Sequence, residues 1–566
     1  MTTVAEYLAV RLRQLGVAHL FGVPGDFSLG LVEALAAPGR LEWIGTANEL
    51  DAGYAADGYA RRRGLGALCT TFGVGELSAL NAVAGAMAEQ VPVVQITGTP
   101  ATGAAAGGVL LHHTLADGDH GRTLRAYQEF TAAAEVLTAD RAAEQIDDVL
   151  TTALVRLRPV YLGVPADLVE VRLDDADAAR LEQPLTVPAS DPDALARFAA
   201  AVQDLLAGVA GVGGVAGAEG ARPVLLVGHL VQRLAAGGRL GALARAGDWP
   251  VVHLLSGRGT LDEDRPPVAG FHVGAMGPAP VRALVDGARP LITVGATLTD
   301  VISGFGTHHP DPAQGITLDL DGATVAGRRF DGVRLIDALD ALTPVAAAFR
   351  TPPTAAAPPV PVPARPAVVA EAGDALTQEQ LWHTLQEWLP PDTTLVTDIG
   401  TAFWGAAGLT LPAGAAFVAQ PVWSSIGYAV PATLGVALAE PGRRAVLVTG
   451  DGAAQMTVAE LGLLARRAPG ALAVVVDNAG YTIERALRSP RAAHHDVPRW
   501  DWTALATALA PDHPPLALAV RTAADLTEAL KRADAEPGRL TLLHVTTHPM
   551  DAPPLLRALA EAVTRS

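Results

Sequence analysis

Two glycines bracket an acid in "AVLVTGDGAAQ", Ala445 to Gln455. Gly450 and Gly452 would let a ligand approach the backbone, as in a phosphate loop, yet Asp451 stands where phosphate oxygens would lie. A dinucleotide fingerprint fails here. Its third small residue would fall on Gln455, and Asp451 would repel a pyrophosphate. The repulsion becomes attraction when a divalent cation sits between them. Mg²⁺ binds through a few protein oxygens plus substrate phosphates, and a following helix offers amide donors. Such a site needs a second oxygen ligand at the end of the neighbouring strand. "LAVVVDNAGYTIER" (Leu472 to Arg485) supplies one in Asn478, where the apolar run stops. Residues 453–477 leave room for one helix and one strand to return to the same edge. Alone, Gly-Asp-Gly reads as an ordinary turn; the spaced Asn478 favours the metal.

Other residues suit proton transfer near working pH. Asp26 closes a strand-like run at "PGDFS", His112 and His113 adjoin in "GVLLHHTLADGDH", and Glu484 lies six residues past Asn478. Glu49 opens "ELDAGYAADGYAR" after Asn48. Each has a plain local explanation. Asp26 can cap a helix, Glu484 can be an exposed helix charge, and Glu49 suits a first helical turn behind an Asn48 cap. Paired histidines also recur at His308-His309 in a Pro-rich loop, from which no role follows.

These residues must be carried by α/β elements. "PVVQITG", "PVYLGVP", "PVLLVGH", "LITVGA", "AVLVTG" and "LAVVVDN" are buried-strand candidates between Ala/Leu-rich helical patterns. The alternation predicts mostly parallel sheets with helices on both faces. Thr3 and Glu6 form a candidate capping box, followed by a helix to Leu15 and the strand "HLFGV". Thr377 and Gln380 repeat it, followed by a helical face of Leu381, Leu385, Trp388 and Leu389 and the strand "TTLVTDIGT". One unit used twice explains the pattern, as does chance. "TPPTAAAPPVPVPARP" (Thr351 to Pro366) predicts an extended linker. Three α/β domains follow: 1–180, a smaller 190–345 with "VGATLTD" as a strand-to-loop edge, and 371–566 beyond a linker at 351–370.

A net charge of −18 disfavours nucleic acid. The single Cys69 excludes an intramolecular disulfide and reads as a small buried hydrophobe. No signal peptide or membrane span is expected; "LLAGVAGVGGVAGA" (Leu205 to Ala218) is too short and Gly-rich, and reads as a helix end or surface segment. A cytoplasmic protein is expected.

Gly-Asp-Gly, this interval and then Asn resembles the diphosphate-binding motif of thiamine-diphosphate (ThDP) enzymes. The family often has a second Asn; here it is Ala479, with Asp477 in front. The resemblance implies Mg²⁺ held by the Asp451 and Asn478 side chains and the Gly480 carbonyl. It puts Gly450, Gly452 and Ala453 at the diphosphate. The segment with Gly53, Tyr54, Ala55, Gly58, Tyr59 and Ala60 resembles the one carrying the cofactor-activating Glu, here Glu49. "QPVWSSIGYAVP" (Gln420 to Pro431) resembles the wedge that bends the cofactor, with Ile426 on the wedge position. Thr71, Ile399 and Thr401 fall where relatives contact cofactor or substrate.

"PGDFS", "CTTFGVGELSA", "LHHTL" and "NAGYTIER" together resemble the non-oxidative 2-keto acid decarboxylases, closest to the indolepyruvate and branched-chain members. This implies release of CO₂ and an aldehyde, with Glu49, Asp26, His112, His113 and Glu484 as catalytic groups. Phe403, Trp404 and Ile483 resemble pocket-lining positions, which favours an aromatic or branched-chain keto acid. One or two methylenes are worth only about 1–3 kcal/mol, so activity can be broad. Alternatives are a pyruvate decarboxylase, a carboligase of the acetolactate synthase type, and a non-catalytic ThDP-binding scaffold. The family builds its site between two chains, which implies an active homodimer and commonly a homotetramer. Nothing in the middle domain argues for the FAD some relatives bind.

Overall fold

The computed structural model describes residues 2–212, 222–308, 310–311, 313–350 and 375–565. The Pro-rich linker expected at 351–370, positions 213–218 and His309 lie outside the described residues. Three sheets organise the rest. The first contains β1 (His19–Gly22), β2 (Glu42–Gly45), β3 (Gly66–Thr71), β4 (Val93–Thr99), β5 (Ala134–Val136) and β6 (Val160–Pro165). The second contains β7 (Val224–Val227), β8 (Val251–Leu254), β9 (Val268–His272), β10 (Leu291–Val294), β11 (Ile316–Leu318), β12 (Gly322–Val325) and β13 (Arg328–Asp331). The third contains β14 (Thr393–Thr397), β15 (Ala416–Val418), β16 (Arg444–Gly450), β17 (Leu472–Asp477), β18 (Leu516–Val520) and β19 (Thr541–Thr546).

The outer sheets are wholly parallel and share one strand order: β2-β1-β3-β4-β6-β5 and β15-β14-β16-β17-β19-β18. Every strand of one has its counterpart in the other, as the repeated opening of the two domains suggested. The middle sheet is mixed only at its edge, where β12 runs antiparallel to β11 and β13. Central strands are buried along their whole length, as in β3 and β17, because helices cover both faces. Both capping boxes form: Thr3 Oγ1 accepts from Glu6 N–H at 3.2 Å, and Thr377 Oγ1 accepts from Gln380 N–H at 3.2 Å. Cys69 is fully buried. Among the described residues, no helix is long and apolar enough to cross a membrane.

The outer domains join through helices Glu49–Arg63 and Ala429–Ala439, each following the second strand of its unit. Contact is backbone-close. A Cβ on Gly58 would run into the Ala432 carbonyl, and one on Gly435 into the Ala55 carbonyl. At the margin, Asp57 accepts from Tyr428 Oη and Arg61 Nε, each at 2.6 Å. One core cluster thus contains Phe21, Ile44 and Tyr54 with Val396, Leu447 and Val475.

Candidate active site

The candidate residues collect at carboxyl edges of the outer sheets, in two groups. In the third sheet, β16 ends at Gly450 in register with Val476 of β17. Asp451 and Asn478 therefore emerge side by side. Asp451 Oδ1 accepts from Gly452 N–H at 2.9 Å and Oδ2 from Gly480 N–H at 3.0 Å. One atom of the Asn478 amide lies 3.3 Å from Asp451 Oδ1 and 2.6 Å from the Gly480 carbonyl oxygen. Without a cation that atom must be the nitrogen, donating to both. With one it can be the oxygen, and three oxygens then converge on a single centre, the donor set a hard divalent ion takes. Burial and the nearby Asp477 carboxylate push Asp451 up to about 7; a bound cation would reverse that. Burial also acts on Asp477, but a hydrogen bond from His544 at 2.9 Å, another from Ala479 N–H and nearby positive charge together keep that carboxyl low.

Two glycines here are steric requirements. A Cβ on Gly452 would meet the Tyr481 ring at 2.6 Å. Gly480, at φ +132°, leaves no room against the His495 carbonyl. A cavity of about 390 Å³ opens beside them, lined by Ile399, Thr401, Ile426, Gly450 to Ala453, Asn478, Ile483 and Glu484 among others. Phe403 and Trp404 do not reach it. They are 1% and 3% exposed, packed edge to face at 5.3 Å inside the core. The helix Thr401–Ala406 puts Thr401 on the cavity; a turn of about 200° carries position 403 to the far side, and Trp404, one turn on from Thr401, packs against the Phe403 ring in the core instead.

The second group belongs to the first sheet. Asp26 follows β1, and its Oδ2 lies 2.6 Å from His112 Nε2; its Oδ1 is 3.8 Å from His113 Nδ1. Against desolvation, the His112 hydrogen bond, the Phe27 N–H and the electrostatic influence of both histidines hold the Asp26 carboxyl below the usual range. His113 takes φ +62°, and its carbonyl occupies the space a Cβ on Gly73 would need. Glu49 begins its helix behind Asn48, which caps Asp51 N–H at 2.9 Å. The Glu49 carboxylate and the Thr71 methyl close over Gly75, each 3.1 Å from its Cβ position. A second cavity of about 370 Å³ is lined by Phe72, Val74, Leu77, His113 and Leu115 among others. Among the described residues, no hydrogen bond or ion pair joins Asp26, Glu49, His112 or His113 to Asp451, Asn478 or Glu484.

Residues 2–120 match the model of the thiamine pyrophosphate enzyme N-terminal TPP binding domain, residues 218–343 its central domain, and residues 398–545 its C-terminal TPP binding domain. A protein of Mycolicibacterium paratuberculosis named alpha-keto-acid decarboxylase is 40% identical over 557 residues, 98% of this chain and 95% of that one. Proteins of the same name from Mycobacterium ulcerans and Mycobacterium bovis are 38% and 39% identical, covering 99% and 98% of this chain and 96% of their own. The chain belongs to the thiamine pyrophosphate enzymes.

Two features of this family member escaped the sequence. Asp398 directly follows β14 and is fully enclosed; its Oδ1 accepts from Gly427 N–H at 3.0 Å and Ala429 N–H at 3.3 Å, its Oδ2 from Thr449 Oγ1 at 2.8 Å. It thereby fixes the loop carrying Ile426. Burial pushes it up to about 6. The signal was an acid-glycine strand end, "TDIG", matching "PGDFS". Glu460 is the other: it accepts from Ala47 N–H at 2.8 Å, steadying the turn into Glu49 from the opposite domain. No local pattern marks a contact spanning 413 residues.

Proposed function

We propose that this enzyme decarboxylates an aromatic or branched-chain 2-keto acid to the aldehyde and CO₂, using ThDP and Mg²⁺, in a site completed by a second copy of the chain. The observation that carries this is the convergence of the Asp451 carboxylate, the Asn478 amide and the Gly480 carbonyl beside an apolar cavity. In this proposal those three hold Mg²⁺, and the amides from Gly450 to Ala453 face the diphosphate. Bound ThDP supplies the electron sink for the pair released as CO₂ leaves. Glu49 would hydrogen-bond the aminopyrimidine and share a proton with it, and Ile426, braced through Asp398, would set its approach. Glu484, on the cavity wall, and the Asp26–His112–His113 group hold and deliver the protons that turnover needs. Ile399, Ile426 and Ile483 give the cavity aliphatic walls suited to an apolar side chain.

The proposed second copy follows from the two separate groups. Each cavity is lined by one outer domain alone. Val74, Leu77 and Leu115 around one, and Met456 close to the other, are at least half exposed. A two-fold dimer covers such surface while bringing Glu49 of one chain to Asp451 of the other.

Incubation with phenylpyruvate, Mg²⁺ and ThDP tests the chemistry: aldehyde as product supports it, and a hydroxyketone points to carboligation. Glu49→Gln should slow turnover by about 10²–10⁴-fold while Mg²⁺-dependent ThDP binding survives. Near-normal turnover in that variant would sink the role given to Glu49.

A further inference from the structure

Within the Asp26, His112 and His113 cluster a short hydrogen bond sits beside a gap. Asp26 Oδ2 and His112 Nε2 are 2.6 Å apart, but Asp26 Oδ1 and His113 Nδ1 are 3.8 Å apart, too far for a hydrogen bond. His113 Nδ1 is buried and has no hydrogen-bond partner. One ligand atom from each of the three residues lies within 4.8 Å of the other two. The rings are held in place. Phe27 stacks on His112 at 5.1 Å and meets His113 edge-on at 5.9 Å, and the two imidazoles pack at 4.6 Å.

We propose that Asp26, His112 and His113 form a second metal site, for a borderline transition ion of the Zn²⁺ class, distinct from the oxygen site at Asp451. Two imidazoles and one carboxylate are zinc ligands, with Zn–N of about 2.0–2.1 Å and Zn–O of about 2.0–2.2 Å. Bonds of that length place ligand atoms about 3.3–3.5 Å apart around a tetrahedral ion; in the cluster Asp26 Oδ2 is 2.6 Å from His112 Nε2, Oδ1 is 3.8 Å from His113 Nδ1, and one atom from each residue falls within 4.8 Å of the others, so small side-chain shifts suffice. An ion entering the gap gives His113 Nδ1 its missing partner and replaces the Asp26–His112 hydrogen bond with two stronger bonds. Mg²⁺, which prefers oxygen and octahedral geometry, is selected by the Asp451 site instead. Three protein ligands leave a fourth position for water. Occupied, the one lone pair of each imidazole is committed to the ion and the Asp26 carboxylate is neutralised by it, so zinc stops their proton traffic and inhibits reversibly. The inhibition rests on the decarboxylase function proposed above; the binding does not.

Calorimetric titration of ZnCl₂ into the full-length holoenzyme, with Mg²⁺ and ThDP in excess, tests the binding separately. One Zn²⁺ per chain is expected, removable by EDTA. Asp26→Asn and His113→Ala should each weaken it more than about tenfold, with circular dichroism verifying each fold, and Asp451→Ala should leave it intact. Using two positions keeps the result readable if one variant misfolds. In the parent enzyme, turnover should fall in step with zinc occupancy. Absence of stoichiometric binding, binding unchanged in both cluster variants, or full turnover at saturating zinc would each overturn the proposal.

Discussion

Asp51 and Glu460 are buried acids on opposite sides of the joint between the outer domains, and each keeps one carboxyl oxygen without a hydrogen-bond partner. Burial and the neighbouring Glu460 push Asp51 up to about 8, and burial pushes Glu460 up to about 7. Above the ordinary carboxyl values of 3.8 and 4.5, the unfolded chain has released these protons while the folded chain retains them. The folded state therefore binds more protons, and this share of stability, complete at the acid end, is lost as pH rises through the folded values. Glu460→Gln removes the titration yet keeps an oxygen for Ala47 N–H. Between about pH 5 and about pH 8 the variant should lose less unfolding free energy than the parent, by on the order of 1–3 kcal/mol. Urea melts at both pH values measure this, and parallel losses would count against the pair. Neither acid could be recognised in the sequence, since only packing makes a carboxyl buried.

The strand ends were the legible elements. Gly-Asp-Gly after an apolar run, and Asn478 after the next, mark positions along one edge because parallel strands bring successive carboxyl ends together. Phe403 and Trp404 were not legible. Their type suits a pocket and a core equally, and their packing against one another inside the core decides between them. The helices Glu49–Arg63 and Ala429–Ala439 show the same dependence on packing. Helix propensity alone makes Gly435→Ala stabilising by about 1 kcal/mol. The Ala55 carbonyl fills the space of that methyl, so the change should instead destabilise by about 1–3 kcal/mol or more. A denaturant midpoint equal to or above the parent's would show that the two helices can part without cost.

At the scale of the whole molecule, the duplicated sheets carry the chemistry in halves. The sequence indicated the repeat through two capping boxes and two strands ending near an acid. The matching six-strand orders extend it to the full units. A site assembled from two chains makes a distinctive demand. Glu49→Gln and Asp451→Ala damage different halves, so each homodimer should be inactive. Co-expression should restore activity, because mixed dimers contain one intact site of two; random pairing gives about a quarter of the parental rate. Activity measurements on the mixed and separate preparations test this, and no recovery on mixing would place both halves within one chain.

The close helix contact carries a trace of history. Ala55 and Gly58 on one helix face Ala432 and Gly435 on the other, and each glycine lies against the other helix's alanine carbonyl. Such reciprocity is the mark of an isologous surface, in which a patch binds its own copy. It is what a self-pairing ancestor of one outer domain, about a third of this length, would leave after its gene was doubled and joined. Tethering then turned a bimolecular association into an intramolecular one, whose strength no longer depends on protein concentration.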